Sequence, residues 1–337
     1  MTRRELLRTL AGSLLLMGFG LRAGRGEPSQ GQARKSPVSL IKAQDRREGV
    51  RTAVALLSLP GEAFAGKEVV LKPNFNSADP FPGSTHNDTL IALVELLREW
   101  GAKGLIVADR SGMGDTRSVM ETKGIFELAE RLGFEAIPID ELPAGEWEHL
   151  PLERSHWKRG VEMPKLFLQA QSIVQTCCLK THQYGGHFTM SLKNSVGMVA
   201  RHSPEDGYDY MRELHSSPYQ REMIAELNLC YKPDLIVLDG LEAFVQGGPD
   251  RGPKESPGVI LASQDRVALD AVGVAILRMY QTTPAVARGR IFDQAQIRRS
   301  VELSLGAGSP EEIELVPAPD PESRAFTQKV LQILSRG

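Results

Sequence analysis

The chain has 337 residues, of which 41% are hydrophobic and 24% are charged, a composition typical of a globular protein with a large core. Its formal net charge of -2, without a basic stripe that carries interleaved aromatic side chains, excludes nucleic acid as an expected partner. The three cysteines, Cys177, Cys178 and Cys230, form neither a disulfide framework nor a C-x-x-C pattern typical of zinc or iron–sulfur sites.

Residues 1–23 are predicted to be a twin-arginine signal peptide. Arg3 and Arg4 precede a short apolar segment at 10–21 that is interrupted by glycines. That segment is shorter than the roughly 20 apolar residues of a membrane-spanning helix, so the mature protein is expected to have no stable span. The pattern predicts export by the twin-arginine machinery, cleavage near Ala23, and a periplasmic or extracytoplasmic location. An uncleaved anchor and an amphipathic first helix are the alternatives.

Residues 24–37 are rich in Gly, Pro, Ser, Gln and charge, which predicts a disordered tether before a folded body at 38–337. In chain order, strands are predicted at 67–71, 105–108, 135–139, 173–178, 235–238 and 259–262. Helices are predicted from 87 or 88 up to Gly101, and at 125–132, 220–229, 267–280 and 323–334.

This alternation of strands and helices predicts an α/β fold, with a largely parallel or mixed sheet flanked by helices. The stretch 201–218 is rich in polar and turn-forming residues. If the body has two lobes, this stretch is their candidate boundary.

Polar side chains follow four of the predicted strands. Because the carboxyl ends of parallel strands meet at one edge of a sheet, where ligands bind, we expect these side chains to share a site. Capping and turn chemistry, which also places Asp and Asn at strand ends, is the alternative. The side chains in question are Lys72, Asn74, Asn76, Asp109, Arg110, Ser111, Lys180, Thr181, His182 and Asp239.

The segment 178–197 holds the densest group of polar residues. It contains Gly185 and Gly186, and Lys193 and Asn194 follow. A glycine-rich loop that enters a helix presents free N–H groups to an anion, and lysines add positive charge. The segment therefore predicts a carboxylate or phosphate site, although it lacks the Gly-Lys-Ser/Thr run of a Walker loop. A solvated loop with surface lysines is the alternative.

His182 and His187 flank the two glycines and are the candidate metal ligands. Across a glycine loop they can converge on a divalent metal, with Asp239 or Asp109 as a third ligand. The alternative is that the histidines serve in hydrogen bonding or acid–base chemistry.

Asp270 is a carboxylate inside a predicted apolar helix, where it needs a partner. One interpretation pairs it with a lysine of the site such as Lys193. The other makes it the cap of a neighbouring loop. The sequence does not distinguish the two.

The order of short motifs resembles the domain of unknown function 362 (DUF362) family. The motifs are LKPN, LKTH, SLKN, LDG, GGP-x-x-GP and AS-x-D-x-VALD, and the resemblance covers roughly 69–280. Many relatives resemble iron–sulfur proteins, because a ferredoxin-type cysteine cluster is joined to this domain. This chain has no C-x-x-C-x-x-C run, so no iron–sulfur cluster is expected in it. The resemblance implies a site at Lys72, Asn74, Lys180, His182, Lys193, Asn194 and Asp239.

The leading hypothesis is an enzyme that binds a small anionic ligand at the strand ends. His182 is the candidate general acid or base, Asp239 would orient it or bind a metal, and Lys72 would orient the ligand. The ligand-binding candidates are Asn74, Asp109, Lys180, Gly185, Gly186, His187, Lys193, Asn194 and Asp270.

Two alternatives come from other functional classes. One is a metal- or redox-cofactor protein that works with an iron–sulfur electron-transfer partner, with a divalent metal as the candidate cofactor. The other is a non-catalytic protein that binds an anion at the same edge. The sequence leaves the cofactor and the substrate open.

Overall fold

The computed structural model describes residues 35–60 and 63–337, which contain twelve strands and twelve helices. The strands are β1 (Ser36–Lys42), β2 (Glu68–Lys72), β3 (Gly104–Asp109), β4 (Glu135–Pro138), β5 (Trp147–Leu150), β6 (Val161–Pro164), β7 (Ser172–His182), β8 (His187–Thr189), β9 (Leu235–Phe244), β10 (Lys254–Glu255), β11 (Val259–Ser263) and β12 (Ile313–Pro317). The helices are α1 (Arg46–Leu56), α2 (Asn87–Glu99), α3 (Thr116–Thr122), α4 (Ile125–Leu132), α5 (Lys165–Leu168), α6 (Ser191–Asn194), α7 (Tyr210–Ser216), α8 (Gln220–Leu227), α9 (Arg266–Leu277), α10 (Pro284–Ala287), α11 (Ala295–Glu302) and α12 (Pro321–Arg336).

The N-terminal predictions fall mostly outside the described residues. The signal peptide at 1–23 lies wholly outside them, and so does the tether as far as residue 34. The end of the predicted tether differs from the structure, because β1 already begins at Ser36. None of the helices in the described part of the chain is long and apolar enough to cross a membrane.

The main sheet is mixed and mostly parallel, as predicted. Its strand order is β12-β1-β11-β9-β7-β2-β3-β4. Strands β9, β7, β2, β3 and β4 run parallel to one another, and β11 lies antiparallel between β9 and β1. Strands β8 and β10 extend β7 and β9 as antiparallel partners, and β5 with β6 forms a separate ribbon.

Helices cover both faces of the sheet, because side chains alternate along each strand and both faces are apolar. In β2, Val69 and Leu71 pack with α1, α2 and α4 on one face, whereas Val70 packs on the other with residues of α7 and α8. The long helix α9 is buried along its length against β7, β9 and β11. The architecture is therefore a sheet between two helical layers.

The predicted lobe boundary at 201–218 does not separate two bodies. Residues 34–337 form one compact unit, and this stretch contains α7. Helix α7 begins after Asp209, whose side chain accepts a hydrogen bond from the Arg212 N–H. The turn-forming residues of the stretch therefore position a helix within the body.

The connections from β2 diverge in a way that creates a crevice. From β2 the chain proceeds to β3 and β4 on one side, and it then returns to β7, which pairs with the other side of β2. From β7 it continues outward to β9. In open parallel sheets, ligands bind outside the carboxyl ends of the strands at such a switch point.

Candidate functional site

A cavity of about 740 Å³ opens at this switch point, outside the carboxyl ends of β2, β3 and β7. Its walls come from the loops after β2 and β3, from the segment around α6, and from α7. The structure brings five sequence-predicted residues to the lining, which are Asn74, Asp109, His182, Lys193 and Asn194.

Lys72 and Asp109 form a buried ion pair beneath the cavity. The ammonium lies 2.6 Å from Asp109 Oδ1 and donates to Asn194 Oδ1 at 2.8 Å and to the Pro73 carbonyl at 2.7 Å. Burial lowers the pKa of Lys72 and raises that of Asp109, and each charge opposes the shift of the other. Since its three hydrogens have partners, Lys72 is placed as a structural cation rather than in the predicted catalytic role.

Lys180 fastens two loops instead of facing the cavity. Its ammonium donates to the carbonyls of Gly83 at 2.6 Å and Pro249 at 3.2 Å, and the side chain is buried. Burial lowers its pKa. Pro249 lines the cavity, so Lys180 supports the cavity wall without being part of the lining itself. This placement disagrees with the prediction that Lys180 holds an anion directly.

Asp239 was predicted to follow the end of a strand, but β9 continues to Phe244, so Asp239 lies within the strand and outside the described cavity lining. Its Oδ2 accepts hydrogen bonds from Arg46 Nε at 2.9 Å and from Thr89 Oγ1 at 2.6 Å, and its Oδ1 accepts from the Leu241 N–H. Strand β9 lies one strand beyond the switch point, and Arg46 of α1 and Thr89 of α2 cover Asp239 there. The predicted role of Asp239 in orienting His182 therefore finds no support in this geometry.

The two glycines lie in the hairpin turn between β7 and β8, not at a helix N-terminus. Gly185 adopts a φ of 84°, and its carbonyl accepts a hydrogen bond from Arg221. The Gly186 N–H is used within the hairpin, because it donates to His182 Nδ1 at 3.3 Å. The predicted anion-binding loop is therefore a turn that holds His182 in place.

Asp270 binds the N–H groups at the start of α6, where the sequence predicted that an external anion would bind. Its two oxygens accept hydrogen bonds from the Ser191 and Leu192 N–H groups at 2.8 and 3.0 Å, at the start of α6. Of the two interpretations offered for Asp270, the structure therefore shows the cap and not a pair with Lys193. Burial raises its pKa to about 7, although both N–H groups favour the charged form.

His182 and His187 are opposite each other in the β7–β8 hairpin, but only His182 is among the described lining residues. Burial, followed by the charges of Lys193 and Lys180, lowers the pKa of His182 well below its usual value. The ring is therefore neutral, and since Nδ1 accepts from Gly186, its proton sits on Nε2. His187 is half-buried, and burial also lowers its pKa.

The predicted metal set does not come together. Asp109 pairs with Lys72, and Asp239 with Arg46 and Thr89. Within residues 35–60 and 63–337, no group of three or more His, Cys, Asp or Glu side chains is placed to hold a metal ion.

Lys193 is the lysine of the site that reaches the cavity. Burial, followed by the positive charges of Lys180 and Arg110, lowers its pKa to about 7. The charged groups that act on it are thus both cations, in contrast to Lys72, which has Asp109. The amine of Lys193 is consequently partly neutral at physiological pH.

Several residues of the cavity lining are not among the site residues selected from the sequence, although Asn76 and Arg110 are among the polar side chains that follow the predicted strands. Arg110 follows Asp109 directly, so the strand-end signal was sufficient to find it. Burial lowers the pKa of its guanidinium to about 10, and the group donates to the carbonyls of Val196 at 2.6 Å and Val199 at 2.7 Å. The others that matter below are Asn76, Arg201, Arg212 and His215, the last two on α7.

Two amide groups at the end of β2 complete the polar lining. Asn74 Oδ1 and Asn76 Nδ2 are buried, and neither has a hydrogen-bond partner among the described residues. A buried polar atom without a partner costs about 1–3 kcal/mol, so such atoms are normally satisfied by a ligand or by water. These two atoms are therefore suited to meet a polar ligand.

Comparison with known proteins agrees with the sequence motifs. The thylakoid-associated protein sll1697 of Synechocystis sp. is 29% identical over 255 residues, which are 73% of this chain and 76% of that protein. The solved lactate racemase apoprotein from Thermoanaerobacterium thermosaccharolyticum is similar, with 16% identity and a TM-score of 0.41, over 61% of this chain and half of that chain. The family model for the domain of unknown function DUF362 matches residues 69–275, which are more than half of the chain and include the strands that form the cavity. The chain therefore belongs to the DUF362 family.

Proposed function

We propose that this protein is an enzyme that binds a small anionic ligand, a carboxylate or a phosphate, in the cavity at the ends of β2, β3 and β7. The observation that carries the proposal is the excess of positive charge in the lining. One of the two lining carboxylates, Asp109, is already neutralised by Lys72. The lining holds the basic side chains Arg110, Lys193, Arg201 and Arg212 and the carboxylates Asp109 and Asp209.

A cavity with an excess of positive charge attracts anions, because the low-dielectric walls of a cleft concentrate the electric field of the charges that line it. Lys193 and the two arginines of the outer wall supply the charge. The amides of Asn74 and Asn76 supply hydrogen-bonding atoms that have no partner in the protein. Arg201 and Arg212, which are in the lining, take the anion-binding role that the sequence predicted for Lys180.

His182 supports a catalytic role beyond binding. A neutral imidazole with its proton on Nε2 can donate that hydrogen to the oxygen of a bound ligand as negative charge develops there. Its Nδ1 is held by Gly186, so the ring has a fixed orientation. A protein that only binds an anion needs no such group, although the same cavity would serve that alternative.

The binding part is tested by calorimetric titration of phosphate and of small carboxylates into the wild type and Lys193→Met. We expect at least about tenfold weaker binding in the variant, which corresponds to about 1.4 kcal/mol. Lys103→Met is the matched control, because Lys103 is exposed and far along β3 from the cavity. Equal affinities in the wild type and Lys193→Met would contradict the proposal.

The catalytic part is tested with any ligand that the titration identifies. If His182 is the general acid, His182→Gln abolishes turnover and leaves the circular dichroism spectrum unchanged. A ligand that binds and is recovered unaltered from the wild type would favour the non-catalytic alternative.

The redox alternative finds no specific support in the described residues. Cys177 and Cys178 are buried and Cys230 is half-buried, and no group of metal ligands accompanies them. Native mass spectrometry of the purified protein tests this alternative. A stoichiometric metal or chromophore would support a redox function that works with an iron–sulfur electron-transfer partner.

Export is a second proposal, and it rests on the sequence of residues 1–23 alone. We propose that the twin-arginine machinery carries the protein to the periplasm. Replacing Arg3 and Arg4 by lysine tests this proposal, because paired arginines define the signal. Retention of the variant in the cytoplasmic fraction is expected, and unchanged export would contradict it.

A further inference from the structure

We propose that Lys193 is a nucleophile that forms an imine with the carbonyl carbon of an oxo acid, while His182 and His215 move the protons. This inference rests on the proposed function, because the anionic group of the oxo acid would occupy the same cavity. It goes further by naming the substrate class and the covalent step.

The three lysines of the sequence motifs have different surroundings, and only one is suited to react. Lys72 is held by a carboxylate, an amide and a carbonyl, and Lys180 is held by two carbonyls. Lys193 is in the cavity lining, and its charged neighbours are cations. A lysine becomes nucleophilic when burial and neighbouring cations favour its neutral form. Its pKa of about 7 agrees with that environment.

The two histidines of the cavity have complementary hydrogen bonds. His182 accepts at Nδ1 from the Gly186 N–H, so its Nε2 carries a proton. His215 Nδ1 lies 2.7 Å from the Met211 carbonyl and must donate to it, so its Nε2 has a free lone pair. One ring therefore offers an acid to the cavity and the other a base.

These histidines lie close enough to Lys193 for its charge to affect both. Positive charge on Lys193 lowers the pKa of His182 and of His215, in addition to the effect of burial. All three side chains line the same cavity. An amine, a proton donor and a proton acceptor are thus assembled around one space.

The covalent step balances without an oxidant or reductant. The neutral amine of Lys193 attacks the carbonyl carbon, a C–N bond forms, and the carbonyl electron pair moves to oxygen. His215 accepts a proton from the nitrogen, and His182 donates one to the oxygen. The resulting carbinolamine then loses its hydroxyl group together with the second proton of the nitrogen as water, the C=N bond forms, and the proton held by His215 returns to His182. The net change is an amine and a carbonyl that become an imine and water.

The cavity selects an oxo acid from among carbonyl compounds. A carbonyl alone would leave Arg201 and Arg212 without a counter-charge, whereas a carboxylate or phosphate group on the same molecule pairs with them. Asn74 Oδ1 and Asn76 Nδ2 are free to bind polar groups of the same ligand.

Reductive trapping tests the proposal. The full-length protein is incubated with sodium cyanoborohydride and, in separate reactions, with pyruvate, glyoxylate, 2-oxoglutarate or pyridoxal 5′-phosphate. Peptide mass spectrometry should locate an adduct at Lys193 with at least one probe, formed at least tenfold faster than at Lys103. The adduct at this position should be lost in Lys193→Arg and retained in Lys103→Met. Absence of an adduct with all four probes, or equal labelling of Lys193 and Lys103, would overturn the proposal.

The pH dependence gives a second readout. Trapping at Lys193 should increase with pH through about 7 and level off about one pH unit higher, where its amine is neutral; labelling of Lys103 should continue to increase. The groups that share the surroundings of this amine are Lys180 and His182 on β7, Arg110 after β3, and His215 on α7. A profile at Lys193 that matches Lys103 would contradict the assignment.

The failure of this inference can be told from failure of the proposed function. If phosphate and carboxylates bind in a Lys193-dependent way and no adduct forms, the anion site stands and the nucleophile is wrong. If neither binding nor trapping depends on Lys193, both are wrong. His182→Gln and His215→Asn should slow trapping at least tenfold and weaken anion binding by a smaller factor, and the difference between the two effects separates proton transfer from binding.

Discussion

A Cβ atom built on Gly186 would lie 2.9 Å from Nδ1 of His182, so the backbone at this glycine is in direct contact with the imidazole. The same Cβ would lie 3.1 Å from Cε of Lys193. The absence of a side chain at Gly186 thus allows the side chains of His182 and Lys193 to pack against its backbone, and the Gly186 N–H also donates to the His182 ring.

The first prediction concerns this contact. Gly186→Ala should displace His182 or Lys193 and reduce anion affinity and trapping at Lys193 at least about tenfold, with a loss of about 1–3 kcal/mol in the free energy of unfolding. Titration and urea unfolding measure the two effects. Gly145→Ala is the control, since a Cβ there would meet nothing within 4 Å. Equal behaviour of the two variants would show that the contact is unimportant.

The second prediction concerns the buried ion pair. Lys72→Met should lower the free energy of unfolding by about 3–5 kcal/mol, because it leaves the Asp109 carboxylate buried without a cation. The double variant Lys72→Met/Asp109→Leu should lose less than the sum of the single changes. Arg117→Ala, at the exposed pair with Glu141, should have little effect in the same urea titrations. A stable Lys72→Met protein that has lost turnover would instead support the catalytic role that the sequence predicted.

The third prediction is a pH dependence that arises from Asp270. Its pKa in the folded protein is raised to about 7 by burial, and the unfolded value is about 3.9. The folded state therefore holds a proton that the unfolded chain releases. The contribution to stability is complete below about pH 4 and is lost as the pH rises to about 7, by up to about 4 kcal/mol.

Comparison of urea unfolding in the wild type and Asp270→Asn over this pH range isolates that contribution, since other titrating groups are present in both chains. The free energy of unfolding of the wild type should fall relative to that of Asp270→Asn as the pH rises from about 4 to about 7. Asp320→Asn serves as the control, because Asp320 also caps a helix but its pKa is lowered by Ser323. A wild-type minus Asp270→Asn difference that does not vary with pH would refute the assignment.

The fourth prediction separates Asp239 from the chemistry. Asp239→Ala should reduce the free energy of unfolding by about 2–4 kcal/mol, because Arg46 and Thr89 lose their common acceptor. Anion affinity and trapping at Lys193 should remain within about twofold of the wild type, when both are measured at a temperature where the variant is folded. Loss of trapping in a folded variant would restore the predicted contribution of Asp239 to the site.

Local sequence patterns predicted β2, β3, β4 and β11 closely, predicted the central strands β7 and β9 too short, and missed β1 and β12. The strand predicted at 259–262 is observed as Val259–Ser263, and the helix predicted at 125–132 is observed with the same bounds. Strand β1 is not predicted, because Ser36 and Pro37 fall in the predicted tether and no strand is predicted at 38–42. It pairs with β11 and β12, whose residues are more than 200 positions away, so its strand state depends on partners that no local window contains.

The sequence predicted those features of the cavity that follow from the order and direction of the strands. Strand ends identified the edge at which Asn74 and His182 line the cavity, and the glycine-rich segment 178–197 identified Lys193. They did not show which lysine is free, because Lys180 is occupied by carbonyls of Gly83 and Pro249, which lie far from it in sequence. The contribution of α7 was missed, since a turn-rich stretch was interpreted as a boundary.

The unequal surroundings of the three motif lysines have a consequence for the evolution of the family. Lys72 and Lys180 stabilise the body, so a homologue that lost either would be selected against for its folding, whatever reaction it performs. Lys193, by contrast, lines the cavity, and the charged groups that act on its amine are the cations Lys180 and Arg110. Substitution at this third position is therefore the step by which a lineage could exchange one reaction for another on an unaltered scaffold, and relatives sorted by this residue should sort by chemistry.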